Sequence, residues 1–138
     1  MNVERICHVG IAASNLDETV AFFTKTLGGE LVSKERVSEH KLISAMVKLG
    51  DNHLEIMEST DPDGVINKFI AKKGEGIHHI SLEVKDIVKL IDLLEGKGVS
   101  VIGKQLTSPE VKVAFISPGS AHGVLIELVE FGIKMKND

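Results

Sequence analysis

The feature that most constrains this chain is an internal repeat. His79 follows His8 by 71 residues, and the same interval separates Asp86 from Asn15, Ile87 from Leu16, Ile91 from Val20 and Leu94 from Phe23. Later in each copy, Leu54-Glu55-Ile56-Met57-Glu58 is answered by Ile126-Glu127-Leu128-Val129-Glu130 at an interval of 72. A chance match of one short motif would not carry helix caps, helix stripes and strand patterns with it. One structural unit is written twice.

Local signals say what that unit is. Residues 5–13 read as a strand. Asn15 with Glu18 three residues on is a helix-start signature, and Leu16, Val20, Phe23 and Leu27 recur at helical spacing up to the stop at Gly28-Gly29. Strands follow at 30–37, 42–49 and 53–58. A loop over 59–64 and a short helix over 65–73 close the first half. The second half opens with a strand at 74–84, continues through an Asp86 cap and a helix bearing Ile87, Ile91 and Leu94, and ends with strands at 99–102, 111–116 and 124–130. Residues 134–138 read as a loose tail. The predicted fold class is α+β: two tandem βαβββ modules, 1–73 and 74–138, within a single domain of 138 residues, forming a curved mixed sheet.

Composition narrows the function classes. The 43% hydrophobic and 26% charged content is that of a soluble globular protein. A net charge of -4 excludes a general basic surface for nucleic acid, and the lack of Trp and Tyr argues against base stacking. No stretch is long and apolar enough for a membrane span, and residues 1–5 do not open a signal peptide. With one cysteine, Cys7, no internal disulfide forms, which suits a cytoplasmic location.

The chemistry lies on the strand faces that the helices leave uncovered. Strand side chains alternate, so His8 lies opposite Val9 and Ile11, Glu55 opposite Leu54 and Ile56, His79 opposite Ile80 and Leu82, and Glu127 opposite Ile126 and Leu128. If the apolar faces meet the helices, two imidazoles and two carboxylates gather on the concave side. His8, Glu55, His79 and Glu127 then suit a divalent ion such as Co²⁺, Mn²⁺, Ni²⁺ or Zn²⁺, with positions left for water or substrate oxygens. A lone histidine or glutamate on a strand is usually solvated; four in register across a repeat are not four independent accidents. A thiolate ligand is disfavoured, because Cys7 precedes His8 and should face the helix side. His78 should point away from His79, supporting the ligands from behind or playing a structural role rather than binding the ion itself. His53 and His122 read as surface residues, and His40 is open.

These residues resemble a known group. The duplicated βαβββ unit with its His, Glu, His, Glu order is similar to the vicinal oxygen chelate superfamily, which includes glyoxalase I and methylmalonyl-CoA epimerase. Within it, Gly74-Glu75-Gly76-Ile77-His78-His79-Ile80 and Gly123-Val124-Leu125-Ile126-Glu127-Leu128 resemble the central and closing motifs of the epimerases. Departures lie at Ser38-Glu39-His40-Lys41-Leu42, which lacks the usual proline and carries Lys41 where glycine is usual, and at Thr107-Ser108-Pro109-Glu110-Val111. The position matching a second catalytic glutamate falls at Ser44.

The resemblance implies a metal-dependent epimerase of methylmalonyl-CoA or a similar acyl-CoA, working by C2 proton abstraction through a metal-stabilised enolate. It casts Glu127 as ligand and base, and Glu39, or a water near Ser44, as the opposite-face partner. It also implies a homodimer. Two alternatives stay open: a glyoxalase I-type lactoylglutathione lyase, and a non-catalytic small-molecule-binding protein of the bleomycin-resistance type.

Overall fold

Two turns of phrase in the sequence, a helix start at Asn15 and a glycine stop at 28–29, set the first half of the fold. The computed structural model describes residues 2–132, so the 134–138 tail lies outside the described residues. Contacts divide the chain into two compact units: residues 8–78, and residues 1–7 together with 79–138 as far as described. The repeat boundary at 73/74 is therefore not where the contacts divide. Residues 2–7 are held by the later half: the Lys85 amide donates to the Asn2 carbonyl at 2.9 Å, Arg5 Nε meets Glu83 Oε1 at 2.8 Å, and Lys85 Nζ lies 3.9 Å from Glu4 Oε1.

The elements are β1 (Val3–Ala12), α1 (Leu16–Ala21), β2 (Glu30–Val37), β3 (Leu42–Leu49), β4 (Asn52–Ser59), α2 (Val65–Lys73), β5 (Gly76–Val84), α3 (Ile87–Gly96), β6 (Val101–Gln105), β7 (Val111–Ile116) and β8 (Ile126–Phe131). This is the expected α+β fold. The order of strands is β2-β3-β4-β1 in the first half and β5-β8-β7-β6 in the second. In each, the first and last strands of the module pair in parallel, β1 with β4 and β5 with β8, and the rest are antiparallel.

In the 8–78 unit, Asn15 sits in extended backbone and its side chain accepts the Glu18 amide at 3.0 Å, the expected cap. The helix does not run evenly to Leu27. After Ala21 it widens into a π-helical turn, Phe22–Thr26, in which the Leu27 amide reaches the Phe22 carbonyl at 3.2 Å. Gly29 follows where no side chain fits: a Cβ there would lie 2.8 Å from the Phe23 carbonyl oxygen and 3.1 Å from that of Lys48. Helix α1 covers a core of Ala13, Leu16, Ala45, Val47 and Ile56. Complete burial of one such side chain as Ile56 contributes roughly 1.5–3 kcal/mol. Helix α2 packs Ile66 and Phe69 on the opposite strand face, against Ala12, Leu42 and Met57. The face that carries Glu55 therefore turns apolar at Met57, and α2 closes its end.

In the 79–132 unit, α3 packs Ile87, Leu90 and Ile91 on Val84, Val101, Ala114 and Leu128. Its start differs from expectation. Asp86 stands at the cap position with φ 50 and makes no side-chain capping bond. Glu130 takes that task, accepting the Asp86 and Ile87 amides at 3.1 and 3.0 Å. The strands expected at 99–102 and 124–130 start two residues later, as β6 and β8. Among the described residues no helix is long and apolar enough to cross a membrane.

Candidate metal centre

Register places each pair of candidate ligands. In the 8–78 unit, Gly10 stands beside Glu55 on the parallel pair β1–β4. His8, two residues earlier, shares that face. Its Nε2 lies 3.3 Å from Glu55 Oε1. In the 79–132 unit, Ser81 stands beside Glu127 on β5–β8, and His79, again two residues earlier, brings Nε2 to 4.0 Å from Glu127 Oε1. The repeat thus makes one histidine–carboxylate pair per unit by one rule: parallel register plus a two-residue step. All four side chains are shielded; that of His79 is 5% exposed.

These distances suit donors to an ion. Two ligands each about 2.1 Å from one divalent cation stand about 3.0 Å apart when adjacent and about 4.2 Å apart when opposite. Both pairs fall in that interval. Each unit thus offers one imidazole and one carboxylate, donor types that can hold a metal ion. Such a set suits first-row divalent ions and provides no soft sulfur.

The surroundings of the pairs hold further groups. The Ser44 hydroxyl donates to Glu55 Oε2 at 2.9 Å, a cross-strand contact that sequence reasoning missed; its only sequence signal is a serine at a buried step of the otherwise apolar stretch Leu42–Val47. His78 packs its ring edge-on to Phe69, centroids 4.8 Å apart. Burial holds its pKa below the ordinary value, against the pull of Glu55. The half-buried Cys7 thiol is pushed up by burial, with Glu83 and Glu127 adding to the effect and Arg5 opposing it. Ser81 and Glu83, both on β5, are among the groups that act on the thiol.

Glu39 is exposed on a single 3₁₀ turn, Ser38–His40. Lys41 ends that turn with φ 54, a left-handed backbone, and its Nζ lies 3.8 Å from Asp63 Oδ2. Lys41 thus holds a backbone conformation that glycine favours. Thr107 and Ser108 border a cleft of about 440 Å³ with Lys104, Leu106 and Val113.

Two βαβββ halves, each bringing one histidine and one carboxylate together by parallel register, define a class of duplicated scaffolds. The chain belongs to the Glyoxalase/Bleomycin resistance protein/Dioxygenase superfamily, whose profile matches residues 7–115. It is 32% identical over 130 residues to the uncharacterized protein YqjC of Bacillus subtilis, covering 93% of each chain. It is 31% identical over 131 residues to the mitochondrial methylmalonyl-CoA epimerase of Bos taurus, covering 92% of this chain and 74% of that one. Among solved structures, it superposes with TM-score 0.85 and 34% identity on a variant of Streptomyces coelicolor methylmalonyl-CoA epimerase in complex with 2-nitronate-propionyl-CoA, covering 95% of this chain and 96% of that one.

Proposed function

We propose that this protein is a metal-dependent epimerase acting on methylmalonyl-CoA or a similar branched acyl-CoA. The observation that carries the reading is the pair of histidine–carboxylate contacts, His8–Glu55 and His79–Glu127, on a chain whose relatives include epimerases of that substrate. His8, Glu55, His79 and Glu127 are assigned as the ligands of one divalent ion, Co²⁺, Mn²⁺, Ni²⁺ or Zn²⁺.

The C2 proton of such a substrate lies between a thioester and a carboxylate, which acidify it. When bound, the ion supplies positive charge against the negative charge that builds on the thioester oxygen as C2–H breaks. The chain's own residues do the rest. His8 and His79 hold the centre from shielded strand positions. Glu127 takes the proton on one face of C2, and Glu39 returns one on the other, the exposed turn Ser38–His40 being free to meet a substrate that approaches from solvent. Proton transfer by a positioned carboxyl typically contributes 10²–10⁴-fold. The same reading makes the enzyme a cytoplasmic homodimer, and a monomer by light scattering at micromolar concentration would count against that part.

The test is isotope exchange. Metal-free protein reloaded with Co²⁺ should move deuterium from heavy water into C2 of methylmalonyl-CoA and interconvert its epimers. No exchange would overturn the substrate. Turnover of the hemithioacetal of glutathione instead, with methylmalonyl-CoA untouched, would move the reading to a lactoylglutathione lyase. Absence of metal binding and of both activities would leave a small-molecule-binding protein.

A further inference from the structure

The two oxygens of Glu55 are not equivalent, and the difference deepens the metal reading above, on which this inference rests. Oε1 faces His8 Nε2 at 3.3 Å. Oε2 accepts the Ser44 hydroxyl at 2.9 Å. Ser44 is 7% exposed and lies on β3, where its register partner on β4 is Met57, while that of Glu55 is Met46. It therefore reaches Glu55 diagonally across the strand pair. Its strand neighbour on the same face, Leu42, packs with Met57 and Ile66. A hydroxyl at the edge of such an apolar cluster is costly unless it is bonded, and Glu55 Oε2 supplies the bond.

A glutamate's terminal torsion is broad and roughly two-fold, so an unrestrained carboxylate swings between its two oxygens. We propose that Ser44 is a positioning residue that ties down Oε2 and leaves Oε1 as the atom Glu55 presents to the metal, beside His8. Ser44, Glu55 and His8 all lie in the 8–78 unit, on β3, β4 and β1.

The experiment titrates metal-free wild type, Ser44→Ala, Ser44→Thr and Ser44→Val with Co²⁺ against a competing chelator, recording the visible absorption of the bound ion. Ser44→Ala should weaken Co²⁺ binding by about 10- to 100-fold, the usual effect of losing a group that orients a ligand, and should shift the Co²⁺ bands. Ser44→Thr keeps the hydroxyl and should restore both; Ser44→Val has the same shape as threonine without the hydroxyl and should behave as alanine does, which keeps the test decisive if the alanine variant folds poorly. Equal affinity and an unchanged spectrum in Ser44→Ala and Ser44→Val would overturn the role of Ser44 while leaving the metal centre intact. A loss shared equally by threonine and valine would overturn it too, because packing would then be the cause. A wild-type chain that binds no Co²⁺ would overturn the metal reading and this inference together.

Discussion

Glu130 Oε1 accepts the backbone N–H of Ile87 at 3.0 Å. The last strand of the second half thereby caps the helix of that half. The first half repeats the arrangement: Glu58 Oε1 accepts the Leu16 amide at 2.5 Å. A carboxylate at a helix N-terminus satisfies orphan amides and meets the positive end of the helix dipole. Since Asp86 makes no capping bond of its own, α3 depends on Glu130. Glu130→Ala should destabilise the protein by about 1–2 kcal/mol, lowering Tm by roughly 3–6 °C, while Asp86→Ala should cost clearly less. Thermal unfolding of the two variants checks this, and the reverse order would refute it.

Lys41 carries a left-handed backbone, φ 54, which costs a residue with a Cβ roughly 1–2 kcal/mol. Its contact with Asp63 is long and exposed and offsets little of that. Lys41→Gly should therefore stabilise the chain by about 1 kcal/mol, and chemical denaturation should show a higher midpoint with an unchanged slope. A lower midpoint would mean that the lysine side chain contributes more than its backbone strain costs.

Metal should act as a stabilising ligand. At a free Co²⁺ concentration 100 times Kd, folding should gain about 2.7 kcal/mol, read as a rise in Tm that EDTA reverses. His79→Ala should abolish that rise. An unchanged metal-dependent shift in this variant would remove His79 from the centre.

Cys7 is the sole cysteine, so alkylation reports on it alone. Its thiol is raised above the ordinary value of 9.0, chiefly by burial, and only the thiolate reacts. Below that pH the folded protein therefore holds less thiolate than a free thiol does. Its reaction with iodoacetamide should be slow at pH 8 and reach half-maximum above pH 9, with the urea-unfolded chain reacting faster at pH 8. A folded-state midpoint below pH 8.5 would contradict the burial argument.

Much of this was readable from residues near one another in sequence. Helix α2 spans the 65–73 segment that the loop signal before it and Gly74 after it bracket. The faces of His8, Glu55, His79 and Glu127 followed from alternation, because each sits in a strand whose apolar side is unambiguous. The misreadings turn on contacts that local sequence signals do not carry. Asp86 has the composition of a cap, but Glu130 is closer to the amides. Leu16 to Leu27 has one helical stripe, yet the helix gives way to a π turn over Phe22–Thr26, and the Gly29 amide reaches back to the Phe23 carbonyl at 2.8 Å. Ser44 is an ordinary serine until β3 and β4 are aligned, and only then does Glu55 come within reach.

The grouping of residues 2–7 with the later half has a consequence in time as well as space. In synthesis residues 2–7 precede every partner that holds them. The partners that hold them, Glu83 and Lys85, are made some eighty residues afterwards. Residues 2–7 can therefore gain these contacts only after the whole 8–78 unit has been made, and a chain cut at the repeat boundary would lack them.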